Sequence, residues 1–124
     1  MSHRILVVDD DEGIVEVVQI VLEGEGYEVG TSMDSESLQQ RLADTLPDLI
    51  LLDVLLSGED GRDICRSLKQ NALTKHIPVI MLSAHADAGK VADAGGADDF
   101  LEKPFDVDEL INIVAKHLTS SQLA

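Results

Sequence analysis

Three short runs of this chain are apolar at every position: Ile5-Leu6-Val7-Val8, Leu49-Ile50-Leu51-Leu52 and Val79-Ile80-Met81-Leu82. Such runs, lacking polar alternation and in the first case rich in β-branched residues, predict strands covered on both faces. The third begins at Pro78 and ends at Ser83. Between the runs the period changes. Ile14, Val17, Val18, Val21 and Leu22 recur at i, i+3, i+4, i+7 and i+8, the mark of a helix with one buried stripe. Glu16, Glu23 and Glu25 lie off that stripe, and Gly24 and Gly26 end it. Tyr27 to Thr31 alternates, as a less covered strand does. Ser35 is expected to cap a helix carrying Leu38, Leu42 and Leu46, stopped by Pro47.

After Ser57-Gly58-Glu59-Asp60-Gly61, a third helix turns Ile64, Cys65 and Leu68 inward. Ala86 to Gly95 is a poor helix, interrupted by Gly89 and short of large apolar residues. Phe100-Leu101-Glu102-Lys103 predicts a last strand, closed by Pro104. Asp106 then caps the last helix, with Glu109 at its third position and Val107, Leu110, Ile111, Val114 and Leu118 as its stripe.

These are five strand–helix repeats. Crossovers of this kind require parallel strands and helices on both sheet faces, so the predicted fold is α/β, an open doubly wound sheet of five strands with five helices. A closed barrel needs more repeats and about twice the length. The 124 residues make one domain, with a core over 4–118 and a tail over 119–124.

The net charge is −15, from 9 basic and 24 acidic residues. A surface that negative repels nucleic-acid phosphates and anionic lipid, so neither is an expected partner. The single cysteine, Cys65, forms no internal disulfide and sits on an apolar stripe as a core residue. The N-terminal apolar run is too short for a signal peptide or a membrane span, which makes a cytoplasmic location the expectation.

In an open parallel sheet, ligands bind beyond the carboxyl ends of the strands. There the first strand delivers Asp9-Asp10-Asp11, the third Asp53, the fourth Ser83 and the fifth Lys103. With strands one, three and four as neighbours, the carboxylates and the hydroxyl share one pocket, and Lys103 is long enough to reach in. Clustered carboxylates repel one another, and one lysine does not offset them. A hard divalent cation such as Mg²⁺, which takes carboxylates, waters and a phosphate oxygen, completes the charge balance. The chain has neither GxxxxGK[ST] nor GxGxxG, so the phosphoryl group comes from a small molecule or another protein rather than from a cradled nucleotide.

The ordered set Asp9-Asp10, Asp53, Ser83 and Lys103-Pro104 across five repeats resembles the receiver domain of two-component response regulators, from Arg4 to about Leu118. The resemblance implies the flavodoxin-like strand order 2-1-3-4-5. It makes Asp53 the phosphoacceptor, taking a phosphoryl group from the phosphohistidine of a sensor histidine kinase, from a phosphotransfer protein or from acetyl phosphate. It assigns Mg²⁺ to Asp9, Asp10, Asp53 and the Leu55 backbone carbonyl. Ser83 and Lys103 then contact phosphoryl oxygens, the Lys103-Pro104 bond is cis, and Phe100 is the aromatic that changes rotamer in the switch. With no room for an effector after the last helix, the output is expected to be a contact with a downstream protein target or onward phosphotransfer.

The chain departs from the family pattern in places. Ser57 stands where proline is common, and Ser83 where threonine is. Ser83 and Lys103 are 20 positions apart, about two fewer than usual. Losing two residues inside a helix would rotate the remainder of that helix by ~200° about its axis, so the deficit is expected to fall in a short or irregular fourth helix.

Each candidate also has an ordinary structural role. The aspartates can cap a helix, Ser83 can be a plain strand-end hydroxyl, Lys103 a solvated charge, Phe100 a packing residue and His85 an exposed loop residue. His3, His76 and His117 have no partner at ligand spacing. Two rival functions remain. One is a phosphorylation-independent interaction module on the same fold. The other is a phosphatase resembling the haloacid dehalogenases, with Asp9 as nucleophile and Asp11 as acid–base.

Overall fold

The computed structural model describes residues 3–56, 58–84 and 96–123. In chain order these form β1 (Arg4–Val8), α1 (Glu12–Gly24), β2 (Glu28–Ser32), α2 (Ser35–Asp44) and β3 (Leu49–Asp53). Next come a hairpin of β4 (Leu55–Leu56) and β5 (Glu59–Asp60), then α3 (Gly61–Gln70), β6 (Val79–Ala84), β7 (Asp99–Lys103) and α4 (Val107–Leu123). The main sheet runs β2-β1-β3-β6-β7 with every neighbouring pair parallel. Leaving the hairpin aside, this is the expected 2-1-3-4-5 order. The irregular helix expected over 86–95, with His85 and the short Ser83-to-Lys103 spacing, lies outside the described residues.

Strand parity builds the core. Successive side chains of a strand point to opposite faces. Ile5 and Val7 of β1, Leu49 and Leu51 of β3, and Ile80 and Leu82 of β6 pack with Val18 and Leu22 of α1 and Leu110, Val114 and Leu118 of α4. The alternate residues, Leu6, Val8, Ile50, Leu52, Val79 and Met81, pack on the other face with Leu38 of α2 and with Cys65 and Leu68 of α3. The inner strands are therefore apolar throughout because both faces are covered. Burial pushes the Cys65 thiol up to about 11, as a core cysteine requires.

Helix starts depend on the acids. Asp11 accepts the N–H groups of Gly13 and Ile14, and Asp60 accepts that of Arg62 at 2.9 Å. Asp106 accepts the Glu109 N–H at 2.8 Å while Glu109 reaches back to the Asp106 N–H at 3.3 Å, a reciprocal capping box. The cap of α2 is Asp34, not Ser35. Asp34 accepts the Ser37 N–H, and Ser35 is the first helical residue. Both residue types cap well, and the aspartate stands one position earlier.

The predicted stripes are wider than the buried ones. Val17 is 53% exposed and Val107 is 50% exposed, since a helix laid on a sheet covers only its central line. Leu46 is exposed because α2 ends at Asp44, before Leu46 can join its face. The backbone of α4 stays helical to Leu123 instead of stopping at Leu118. The His117 Nε2 lies 2.9 Å from the Asp99 carboxylate, which Lys116 approaches at 3.5 Å. Burial works against the Asp99 charge, yet the His117 ring, the Phe100 N–H and Lys116 outweigh it and hold the carboxyl below its usual range.

The β4–β5 hairpin was not expected from the sequence. It folds back because Gly61 comes so close to β3 that its N–H donates to the Val54 carbonyl at 2.6 Å. A Cβ at Gly61 would collide with the Asp53 backbone carbonyl oxygen. Gly61→Ala is therefore expected to destabilise the protein by ~1–3 kcal/mol, the usual cost of forced overpacking. Gly24→Ala, where an added Cβ meets nothing within 4 Å, should stay within about 0.5 kcal/mol of wild type. Urea unfolding midpoints of the two variants check this.

Candidate functional site

The same parity that sorts the core carries acids to one corner. Asp9 continues the Ile5–Val7 side of β1, Asp53 the Leu49–Leu51 side of β3, and Lys103 the Leu101 side of β7. All three lie at the carboxyl end of the sheet, past the apolar layer under α1 and α4.

One carboxylate oxygen from each of Asp9, Asp10 and Asp53 lies within 4.8 Å of the others. Asp9 is fully buried, Asp53 is 8% exposed and Asp10 is open to solvent. The Lys103 Nζ reaches over the edge of the sheet to Asp9 Oδ2 at 3.0 Å and to Asp53 Oδ1 at 3.4 Å. Asp9 Oδ1 also accepts the Asp11 N–H at 2.9 Å, and Asp53 Oδ1 is approached by the Leu55 N–H at 3.4 Å. The Lys103-Pro104 peptide bond is cis.

This crowding governs the electrostatics. Burial first, and then the Asp9 charge, push Asp53 up to about 6, against the opposing pull of Lys103. Burial alone would lower Lys103, but its contacts with Asp9 and Asp53 prevail and raise it, so the ammonium stays charged. Among the described residues, three carboxylates against one ammonium leave the corner electronegative.

The donor set fits a small hard cation. Oxygens placed oppositely about one Mg²⁺ at ~2.1 Å are ~4.2 Å apart, and the observed limit of 4.8 Å needs only a side-chain adjustment to meet it. The Leu55 backbone stands beside this cluster while its side chain faces solvent.

Ser83 reaches the same end of the sheet, in register with Glu102 and adjacent to the position paired with Lys103. Its hydroxyl is buried and makes no hydrogen bond among the described residues. Phe100 lies earlier on β7 and packs against the core on the α2–α3 side. Asp11 stands apart from the cluster, its carboxylate occupied in capping α1. Beyond the predicted residues, Glu59 of the hairpin binds Ser35 of α2 with an Oε2 to Oγ distance of 2.6 Å. No local spacing announces that contact, because its partners are 24 residues apart.

Comparison with known proteins agrees with this arrangement. The chain matches the response regulator receiver domain family over residues 5–115. It is 43% identical to Response regulator PleD of Caulobacter vibrioides across 99% of its own length and 27% of that protein's. It is 39% identical to the phosphate regulon transcriptional regulatory protein PhoB of Rhizobium meliloti, covering 90% of this chain and 50% of PhoB. The chain thus spans half or less of these curated relatives. The crystal structure of the receiver domain of NtrX from Brucella abortus superposes with a TM-score of 0.83 at 36% identity, covering 93% of this chain and 98% of that one. With the five-stranded order, the convergent acids and these matches together, the chain belongs to the response regulator receiver domains of two-component systems.

Proposed function

We propose that this receiver accepts a phosphoryl group on Asp53, with Mg²⁺ held by Asp9, Asp10, Asp53 and the Leu55 backbone carbonyl. The carrying observation is the convergence of three carboxylates, one ammonium and a buried unbonded hydroxyl at one end of the sheet. An Asp53 oxygen attacks phosphorus, and the bond from phosphorus to the histidine nitrogen of the donor breaks. The imidazole leaves with its electron pair and takes up a proton. Bound Mg²⁺ supplies charge neutralisation and in-line orientation at the phosphoryl oxygens.

The chain's own residues do the rest. Lys103 already touches Asp53 and pairs with a phosphoryl oxygen once the group is attached. Ser83 donates its hydroxyl to another, which gives that buried oxygen a partner it lacks among the described residues. Phosphorylation adds about one to two negative charges. Moving a population from 1:99 to 99:1 requires about 5.5 kcal/mol, and one charge-assisted bond gives only ~1.5–3 kcal/mol. Movement of Ser83 and Lys103, carried to Phe100 and the β7–α4 face, therefore acts together with binding of the downstream protein target.

The donor is a sensor histidine kinase or a phosphotransfer protein. It must cover the ground beside Lys103, and there an apolar cavity of about 540 Å³ lies between Ile14 and Val17 of α1 and the Pro104-Phe105 segment. The −15 chain itself is a poor ligand for a nucleic-acid backbone. Among the described residues no helix is long and apolar enough to cross a membrane. The rival with Asp9 as nucleophile is disfavoured because Asp9 is fully buried and Asp11, its proposed acid–base partner, caps α1.

Acetyl phosphate with Mg²⁺ should add one phosphoryl group to the intact protein by mass spectrometry. Asp53→Asn should abolish the addition, whereas retained labelling of that variant, or labelling without Mg²⁺, contradicts the reading. A variant that still binds its partner without labelling would instead indicate the phosphorylation-independent module.

The raised Asp53 value sets a pH dependence. A carboxyl that holds its proton more tightly when folded loses stabilisation as pH rises from its unfolded value near 3.8 to about 6. Metal-free protein should therefore become less stable across that window on this group's account, and Asp53→Asn should be more stable than wild type at pH 7.5. Mg²⁺ should raise the wild-type melting temperature more at pH 7.5 than at pH 5, where protons compete for Asp53. Thermal unfolding with and without Mg²⁺ at both pH values measures all three effects.

A further inference from the structure

Between β4 and β5 Gly58 takes φ +82°, and the sequence Ser57-Gly58 holds no proline to stiffen the connection. Its anchor comes from elsewhere. Glu59 of β5 accepts the Ser35 hydroxyl on Oε2 at 2.6 Å and the Ser35 N–H on Oε1 at 3.3 Å. That N–H opens α2 and is one of the four that a helix leaves without an internal partner. Asp34 serves the Ser37 N–H instead, at 2.8 Å. Glu59 is thus a second cap, brought in from another element to the helix end that favours negative charge.

The same turn of α2 is tied to the opposite wall of the site. The Ser37 and Ser32 hydroxyls hydrogen-bond at 3.2 Å, and the Ser32 carbonyl accepts the Asp9 N–H at 3.0 Å. On the loop side, Glu59 pairs with Leu56 and Asp60 with Leu55, whose N–H approaches the Asp53 carboxylate. One helical turn therefore holds both the Asp9 shelf and the hairpin that carries Leu55.

We infer that Ser35 and Glu59 form a positioning clasp that holds the Leu55 carbonyl against the acidic cluster and so sets the affinity of the site for a divalent cation. This rests on the reading that the cluster binds Mg²⁺. Neither residue touches the reacting atoms. They act through the hairpin, and the geometry of α2 makes the clasp distinct from ordinary helix capping by Asp34.

The test is calorimetric titration of the intact protein with Mg²⁺ alone, alongside amide hydrogen exchange of residues 55–60 in metal-free protein. Glu59→Ala should weaken Mg²⁺ binding by about three- to tenfold, the range of a lost capping bond, and should speed exchange at Leu55. Ser35→Ala, which removes one hydroxyl and serves if Glu59→Ala folds poorly, should give part of the loss. The double variant should be no weaker than Glu59→Ala alone. Glu59→Gln, whose amide oxygen still accepts, should recover part of the affinity. Asp34→Ala should lower stability while leaving Mg²⁺ affinity unchanged. A folded Glu59→Ala or Ser35→Ala protein that binds Mg²⁺ as wild type does overturns the clasp alone, as does an Asp34→Ala protein weakened as much as Glu59→Ala. Wild-type protein that takes up no Mg²⁺ overturns the underlying reading as well.

Discussion

Three carboxylates held together at the rim of a sheet, with a single ammonium between them, form the constraint on which this molecule turns. Bringing Asp9, Asp10 and Asp53 within 4.8 Å of one another is unfavourable in itself, and burial of Asp9 and Asp53 worsens it by removing water. Lys103 offsets part of the repulsion through its contacts with both buried acids. The raised Asp53 value reports what is left. A corner in this condition gains from any hard cation and from any group that brings oxygens for Lys103 to bind.

The fold can sustain that corner because its stability resides elsewhere. Two apolar layers, one under α1 and α4 and one under α2 and α3, sandwich the inner strands β1, β3 and β6. The acidic cluster, Lys103 and Ser83 sit at the carboxyl end of the sheet, past the apolar layers. Ser83 shows the same economy: its buried hydroxyl lacks a partner among the described residues, a condition that costs ~1–3 kcal/mol unless a ligand oxygen arrives. Both kinds of unsatisfied group sit where an incoming phosphoryl group and cation can satisfy them.

Much of this was legible in the residues. The apolar runs from Ile5, Leu49 and Val79 identify inner strands because coverage on both faces removes polar alternation. The strand-end acids, Ser83 and Lys103 are located by knowing where a parallel sheet binds ligands. The Asp106–Glu109 capping box is local, and its three-residue spacing is plain in the sequence. Errors arose where two local choices were nearly equal or where packing decided. Asp34 rather than Ser35 caps α2, and Val17 and Val107 stay exposed because a helix on a sheet buries a narrow line.

The order of apolar and polar positions, by itself, determined the strand–helix alternation, the parallel sheet and the set of residues delivered to its carboxyl end, since these depend on periods of two and 3.6 residues and on chain connectivity. Only the tertiary structure decided the contacts between residues remote in the chain. Among these are Lys103 bridging Asp9 and Asp53, the hairpin folded back at Gly61, the Glu59 cap on α2 and the Asp99–His117 pair. Such contacts depend on the distances and angles at which elements pack. Those are set by side-chain volumes across the whole core, which no local pattern along the chain encodes.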